Sequence, residues 1–371
     1  ISGNIVQFVG GPLASTSAGA DRVGIAIGSE SWSATDANSI TSANYTVTKN
    51  IVHDVIEERT FSAAGIRLGT TQSGSATGNL IANNFIYNIR SNGTSGDQVV
   101  GIGISAGNGD RIANNSISIS GDMDPSPSAT ASAQYGNAIR IPGANVANNA
   151  NFVVRNNSIY LDASSSSTSA NRYYAITLNS SAYSFGTGGL NHNNYYINPL
   201  NTQLQTGGLS TTTGNAATTQ FASLANWQSA LATPQDANSI QLNPNYVSAT
   251  DLHITGAPNE SAGVTVAGVT DDIDGDTRPA TPDIGADEIT LAGPGTVQFS
   301  ATSYTDLEGN TATITVNRTG GSSGAISVDY ATGGGTATPG TCGTDDYVSA
   351  TGTLNWADAD SAAKTFTVQL C

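Results

Sequence analysis

Three sets of residues have the types and spacing that chemistry needs. The first is Asp272-Ile273-Asp274-Gly275-Asp276-Thr277-Arg278. Its alternating carboxylates offer hard oxygen ligands at the one-three-five spacing of a calcium-binding loop. Such a loop also wants Gly at its sixth place and Glu at its twelfth, where Thr277 and Asp283 stand instead. The competing reading is a turn in which Asp272, Asp274 and Asp276 cap backbone amides and pair with Arg278. The second set is Arg67 and Arg140, which hold the same place in two copies of one strand motif. They are expected to face outward on one side, as an anion-binding or catalytic pair or as ordinary solvated arginines. The third set is Tyr135, Tyr160, Tyr173, Tyr174, Tyr183, Tyr195 and Tyr196. Exposed, they would stack on sugar rings while neighbouring polar loops bond the hydroxyls; the alternative is that several close a core.

Other chemistries lack their residues. His53, His192 and His253 are far apart, with no H-x-H or H-E-x-x-H spacing, so no zinc site is expected. A glycosidase needs two carboxylates flanking its bond. The acids of the first half, Asp21, Glu30, Asp36, Asp54, Glu57, Glu58, Asp97, Asp110, Asp122, Asp124 and Asp162, are scattered. No Gly-rich run carries the Lys and following helix of a phosphate loop. Cys342 and Cys371 are close enough in sequence to pair, but two cysteines make no disulfide framework.

The elements that position these residues repeat. A small residue, Ile, any residue, then Ile or Leu occurs at Gly24-Ile25-Ala26-Ile27, Gly65-Ile66-Arg67-Leu68, Gly101-Ile102-Gly103-Ile104, Ala138-Ile139-Arg140-Ile141 and Ala175-Ile176-Thr177-Leu178. The first isoleucines are 41, 36, 37 and 37 residues apart. A second motif accompanies the series: Lys49-Asn50-Ile51-Val52, Asn83-Asn84-Phe85-Ile86, Asn114-Asn115-Ser116-Ile117, Asn156-Asn157-Ser158-Ile159 and Asn193-Asn194-Tyr195-Tyr196. Two strand-like pieces recurring in order at a fixed period predict stacked coils of parallel strands, with isoleucines piled in a narrow core. The asparagines fit the left-handed corners such coils need, and stacked amides can bond along the pile. The period exceeds what short strands require, so the polar stretches 70–77, 121–134 and 163–172 are expected to be protruding loops.

Composition narrows the field. Of 371 residues 42 are Gly, and helix-forming Lys is confined to Lys49 and Lys364, which points to an all-β chain. A net charge of −16 argues against nucleic acid, which demands a basic stripe. No apolar run is long enough for a membrane span. One short helix is expected where Leu224, Trp227 and Leu231 share a face. The chain opens on Ile1 without Met, as a mature or excised piece would.

The five repeated turns resemble right-handed parallel β-helix proteins with a pectate-lyase-like fold. Trp227, Asp236-Ala237-Asn238-Ser239-Ile240, the D-x-D-G-D-x-R run and Asp283-Ile284-Gly285-Ala286-Asp287-Glu288 resemble the C-terminal end of bacterial secreted β-helix proteins. This resemblance covers residues 1–290. Residues 291–371 alternate differently. Tyr304, Glu308-Gly309, Val316-Asn317-Arg318-Thr319-Gly320-Gly321, Val328-Asp329-Tyr330-Ala331-Thr332, Gly335-Thr336-Ala337, Asp346-Tyr347 and Gly352-Thr353-Leu354-Asn355-Trp356 look like a Calx-beta domain. That resemblance implies a β-sandwich and assigns Glu308, Asp329, Asp345 and Asp346 to calcium. The chain departs from the pattern at Gly334, where the family usually has Asp, and it stops at Cys371 before the family's closing strands, so the sandwich is expected to be incomplete.

The fold expected is therefore all-β, a right-handed parallel β-helix over 1–290 followed by an incomplete Calx-beta-like sandwich over 291–371. The function expected is a structural or adhesive module of a secreted or bacterial cell-surface protein. It would assemble head to tail with copies of itself or bind cell-surface glycans, with Ca2+ as the ion its carboxylates suit. Two alternatives come from other classes. One is a polysaccharide lyase or hydrolase working near Arg67 and Arg140. The other is a non-catalytic glycan binder using Tyr160, Tyr173, Tyr174, Tyr195 and Tyr196.

Overall fold

In the computed structural model, residues 1–10, 21–28, 43–57, 61–69, 77–91, 98–105, 107–123, 135–141, 150–165, 171–178, 184–209, 219–231, 235–256, 258–289, 293–319, 321–358 and 360–371 are described. Glu30, Asp36, Glu58, Asp97, Asp124, Tyr183 and most of the three stretches expected to protrude lie outside them. The chain divides into two compact units, Ile1–Ile289 and Thr290–Cys371.

The first unit is built on three sheets of parallel strands that the chain visits in turn. The first sheet holds Thr46–Thr48, Leu80–Ala82, Arg111–Ala113, Ala150–Arg155 and Ser184–Asn191. The second holds Ile5–Val6, Ile51–Glu57, Phe85–Ser91, Ser116–Asp122, Ser158–Ser164 and Asn194–Ile197, with Val9–Gly10 also paired to it. The third holds Arg22–Gly28, Ala63–Gly69, Gln98–Ile104, Tyr135–Ile141, Arg172–Leu178 and Leu204–Leu209, closed by the antiparallel Thr219–Phe221.

Register turns the sequence period into columns. Ile25, Ile66, Ile102, Ile139 and Ile176 pair in series on the third sheet. Val52, Ile86, Ile117, Ile159 and Tyr195 do so on the second, and Val47, Ile81, Ile112, Val154 and Leu190 on the first. All fifteen are buried in one core. Each such side chain contributes about 1.5–3 kcal/mol relative to exposure, so the columns hold the stack together. The small residue before each isoleucine has a steric cause. A Cβ at Gly65 would lie 2.6 Å from Ile86 Cγ2 and 2.8 Å from the Gly101 carbonyl oxygen.

The paired asparagines divide their labour. The first of each pair turns the corner: Lys49, Asn83, Asn114, Asn156 and His192 have φ of 58°, 54°, 52°, 56° and 54°. The second builds a buried ladder in which Asn50 Nδ2 donates to Asn84 Oδ1, Asn84 to Asn115, Asn115 to Asn157 and Asn157 to Asn193, at 2.8–3.0 Å. The same Oδ1 atoms accept the backbone N–H of Asn50, Asn84, Asn115 and Asn157. One expectation is corrected here. The fifth copy is His192-Asn193-Asn194-Tyr195, because Asn194 pairs with Ser158 and Tyr195 with Ile159. A one-residue slip exchanges faces, so Tyr195 points inward and Tyr196 outward. The spacing conceals this because His192 fills the corner that Asn fills elsewhere.

The helix Leu224–Ala230, the one helix among the described residues, is capped by Ser223 and packs on the last strands of the third sheet, Leu204–Leu209 and Thr219–Phe221. Its Trp227 is buried over Gly207, where a Cβ would meet the indole at 2.2 Å. Trp227 Nε1 donates to Asp236 Oδ2 at 2.8 Å, and Tyr195, Ser239 and Asn193 also donate to that carboxylate. Asp236 thus receives the donor end of the asparagine ladder.

Residues 246–289 then pack back along the corners. His192 Nδ1 lies 3.1 Å from the Ala262 carbonyl oxygen, and Asn156 Nδ2 donates to Val264 O. Asn114 donates to Asp283 O and Asn83 to Asp271 O, while Lys49 Nζ reaches Asp271 Oδ2 at 2.6 Å. The corner side chains that the left-handed backbone frees thereby bind one strap along the stack.

The second unit has a three-stranded antiparallel sheet of Thr296–Phe299, Thr311–Thr319 and Lys364–Gln369, and a two-stranded one of Ile326–Ala331 and Thr351–Trp356. Tyr330 and Phe366 stack between them at 4.0 Å. Buried Arg318 donates to the carbonyls of Pro294, Ala357, Asp360, Ser323 and Gly324. A disulfide joins Cys342 to Cys371.

Candidate functional site

The second sheet carries an outward row that its register lines up: His53, Tyr87, Ser118, Tyr160 and Tyr196. These alternate with the buried column Val52 to Tyr195, as strand geometry requires. Tyr160 and Tyr196 stack at 5.1 Å and 29°. Tyr246, from the hairpin Tyr246–Ser248 with Asp251–Ile254, stands 6.4 Å from Tyr160. Its hydroxyl donates to Ser158 Oγ and to the Ser158 carbonyl, which fixes the ring.

Ser118 is the small residue in this row, and a pocket of about 420 Å³ opens over it. Tyr160, Tyr246, Asn243, Asn245, Ser248 and Thr255 are among its walls. The volume lies within the range of small-ligand sites. Burial, with the charge of Asp162 behind it, pushes the Tyr160 hydroxyl above its ordinary range, so it stays a neutral donor. An aromatic wall beside amides and hydroxyls matches the amphipathic faces of a sugar ring.

The sequence-predicted residues separate. Tyr160 and Tyr196 line up in this row and are half-buried. Tyr173, Tyr174 and Tyr195 are buried, and Tyr173 and Tyr195 belong to the core cluster, which corrects their assignment to a sugar-binding surface. Tyr246 and its polar neighbours were not anticipated, because nothing local places residues 243–255 over strands 118 and 160. A usable signal did exist: the residue following each N-N-x-I motif is outward by alternation, and in two copies it is Tyr87 and Tyr160.

Arg67 and Arg140 flank Gly103 in register, as expected, but they are buried, with 1% and 5% of their surface exposed. This corrects the expectation of solvent-facing arginines. Arg67 Nη1 lies 3.8 Å from Asp21 Oδ2. Burial first, and the neighbouring Arg67 charge second, lower Arg140 to about 10.

The first calcium candidate resolves mainly into a turn. Asp272 is fully buried, its Oδ1 accepting the amides of Asp274, Gly275 and Asp276 and its Oδ2 that of Glu288. All the bonding directions seen at Asp272 are spent on backbone, which corrects its assignment as a ligand. Arg278 pairs with Glu288 at 2.8 Å rather than with the three aspartates. Asp276 is exposed and joins no group of three ligand side chains among the described residues. Asp274 does join one, with His253 and Asp287, all ligand atoms lying within 4.8 Å of one another.

The second calcium candidate does not assemble either. Asp345 Oδ2 accepts from Thr341 N and Thr344 Oγ1, and Asp346 Oδ2 from Thr338 N and Oγ1. Asp329 accepts from Thr353 Oγ1, and Glu308 is exposed. These four form no group of three ligand atoms among the described residues. A shallow cleft of about 490 Å³ lies in this unit, lined by Phe299, Tyr304, Tyr347, Phe366 and Asp346 among others.

No protein-family model, no curated protein and no solved structure matches the chain. The geometry of the site therefore carries the functional reading by itself.

Proposed function

We propose that the protein is an adhesive module of a secreted or cell-surface bacterial protein, and that it binds glycans without cleaving them. In this reading residues 1–290 are a right-handed parallel β-helix that serves as a rigid scaffold, the hand following from the rule for parallel crossovers. The three in-register columns and the asparagine ladder support that architecture. Residues 291–371 are read as a Calx-beta-like sandwich, supported by two antiparallel sheets that meet at Tyr330 and Phe366.

The observation that carries the functional reading is the pocket over Ser118, with Tyr160 and Tyr246 beside Asn243, Asn245 and Thr255. Rings held on a sheet and on a bonded hairpin lose little freedom on binding, which favours recognition of a stiff polysaccharide. Retardation of the full chain in gels containing neutral or acidic polysaccharides tests it. Tyr160→Ala is expected to weaken retention about tenfold, or ~1.4 kcal/mol. Release of reducing or unsaturated ends would make the protein an enzyme and overturn the non-catalytic reading. Unchanged retention in Tyr160→Ala and Tyr196→Ala would remove the site.

A second observation favours self-association as well. Ile5 and Phe8, beside the outermost strand pairings of the second sheet, are 64% and 74% exposed. An apolar sheet edge is a template for another chain. Filaments in electron micrographs that are lost in Phe8→Lys would support head-to-tail assembly. Filaments unaffected by that change would reject this edge as the contact.

A further inference from the structure

We propose that His253, Asp274 and Asp287 form a binding site for a divalent transition-metal ion of the zinc class. The three come from the strand Asp251–Ile254, the turn capped by Asp272, and the 283–288 segment, so only the fold brings them together. His253 is held as metal-binding imidazoles are held. Its Nδ1 is bonded to Asp251 Oδ1, and its ring meets Phe85 edge-on at 4.8 Å and 90°. A carboxylate on one ring nitrogen orients the other and raises its basicity as a ligand. The other ring nitrogen, Nε2, is hydrogen-bonded to Asp274 Oδ2 at 2.9 Å, where an ion would take the place of the shared proton.

The second, independent observation is Asp287. It is only 5% exposed, and its Oδ2 accepts the Ile254 amide at 2.8 Å. Its other oxygen accepts no hydrogen bond among the described residues. A carboxylate this buried, set beside an oriented imidazole, is stabilised by a cation held between them. Asp251, Asp274 and Asp287 surround this one imidazole, so even a protonated His253 leaves an excess of negative charge that a divalent ion offsets.

Dimensions and ligand type select the ion. Ligands at about 2.1 Å from a metal stand at most about 4.2 Å apart. The three ligand atoms lie within 4.8 Å of one another, and Asp274, more than half exposed, is free to adjust its side chain toward an ion. One imidazole nitrogen with two carboxylates suits zinc or its neighbours, whereas calcium takes six to eight oxygens and no nitrogen. Three protein ligands on an open rim leave a place for water.

The test is titration of the chelator-treated full chain with Zn2+, followed by calorimetry, and with Co2+, followed by its visible absorption. One equivalent is expected, resistant to millimolar Ca2+. Asp274→Asn sits on the exposed rim and should fold normally while abolishing stoichiometric binding. Asp251→Asn, a positioning change, should weaken affinity about 10–100-fold. His192→Gln should bind as wild type does. Absence of stoichiometric Zn2+ binding, unchanged affinity in Asp274→Asn, or displacement by Ca2+ would each overturn the proposal.

Discussion

Asn115→Ala removes one rung from the middle of the buried ladder, and its cost follows from the bonds it breaks. Asn115 Oδ1 accepts Asn84 N at 3.2 Å and Asn84 Nδ2 at 2.8 Å. Its Nδ2 donates to Ile81 O, Ala113 O and Asn157 Oδ1. In the variant the Asn84 amide N–H loses the acceptor it has here, at full burial, which costs about 1–3 kcal/mol. Asn84 Nδ2 keeps Val47 O and Ala82 O, and Asn157 Oδ1 keeps the Asn115 amide. These weakened groups and the vacated volume add about 1–2 kcal/mol more. The total is about 2–5 kcal/mol, or roughly 10 °C in the melting temperature of a unit this size. Asn4 makes the same kind of bond to Asn50 Oδ1 from an exposed end, so Asn4→Ala should cost less than about 1 kcal/mol. Thermal and urea unfolding of the full chain, followed by circular dichroism, compare the two. Asn84→Ala combined with Asn115→Ala should cost less than the two singly, because the rung is shared. The reasoning is refuted if Asn115→Ala unfolds within 0.5 kcal/mol of wild type, about the precision of such comparisons, or if Asn4→Ala costs as much.

Three further outcomes are expected. Burial raises the Asp110 carboxyl above its ordinary range despite bonds from Thr77 and Asn79, and its buried Oδ2 has no donor. The folded state then keeps that proton to higher pH than the unfolded state. The stability this group adds is complete below about pH 4 and is lost as pH rises through its raised value. Asp110→Asn should therefore flatten the decline above pH 4 and be the more stable form at pH 7; an unchanged slope in denaturation curves across that range would count against it. Trp227→Phe keeps most of the ring but removes a donor to buried Asp236, so a loss of about 1–3 kcal/mol is expected in urea melts, against about 3–5 for Trp227→Ala. Replacing both Cys342 and Cys371 by Ser opens a loop spanning 29 residues. By chain entropy this removes about 3.6 kcal/mol from the second unit and should leave the calorimetric transition of the first in place.

Much of the scaffold could be read before any coordinate. Isoleucines at a near-constant period are a local property, and stacking is the one arrangement that buries all of them at once. The asparagine pairs announced both corners and a ladder, because only a short amide both tolerates the left-handed backbone and bonds its copy above. The slip at His192 shows the limit of that reading. Period alone does not say which residue of a near-repeat turns the corner, and an error of one residue exchanges Tyr195 with Tyr196.

Chemistry was less legible than scaffold, for a physical reason. Alternation says that Arg67 and Arg140 leave the isoleucine face, but not whether solvent meets them there, since burial depends on chain far away in sequence. An acidic run advertises cation binding and turn capping equally. Asp272 became a cap because the amides of residues 274–276 turn toward it, while Asp274 was left to face His253. The strap of residues 246–289 decided the rest, since it lays Tyr246 over Tyr160 and His253 beside Asp287. The sequence by itself determined an all-β chain of parallel strands with an apolar core and amide-lined corners, because those depend on residue type at a fixed step. Only the tertiary structure decided which rings form a pocket and which carboxylates share an imidazole, because those groups meet through contacts between segments whose separation carries no period.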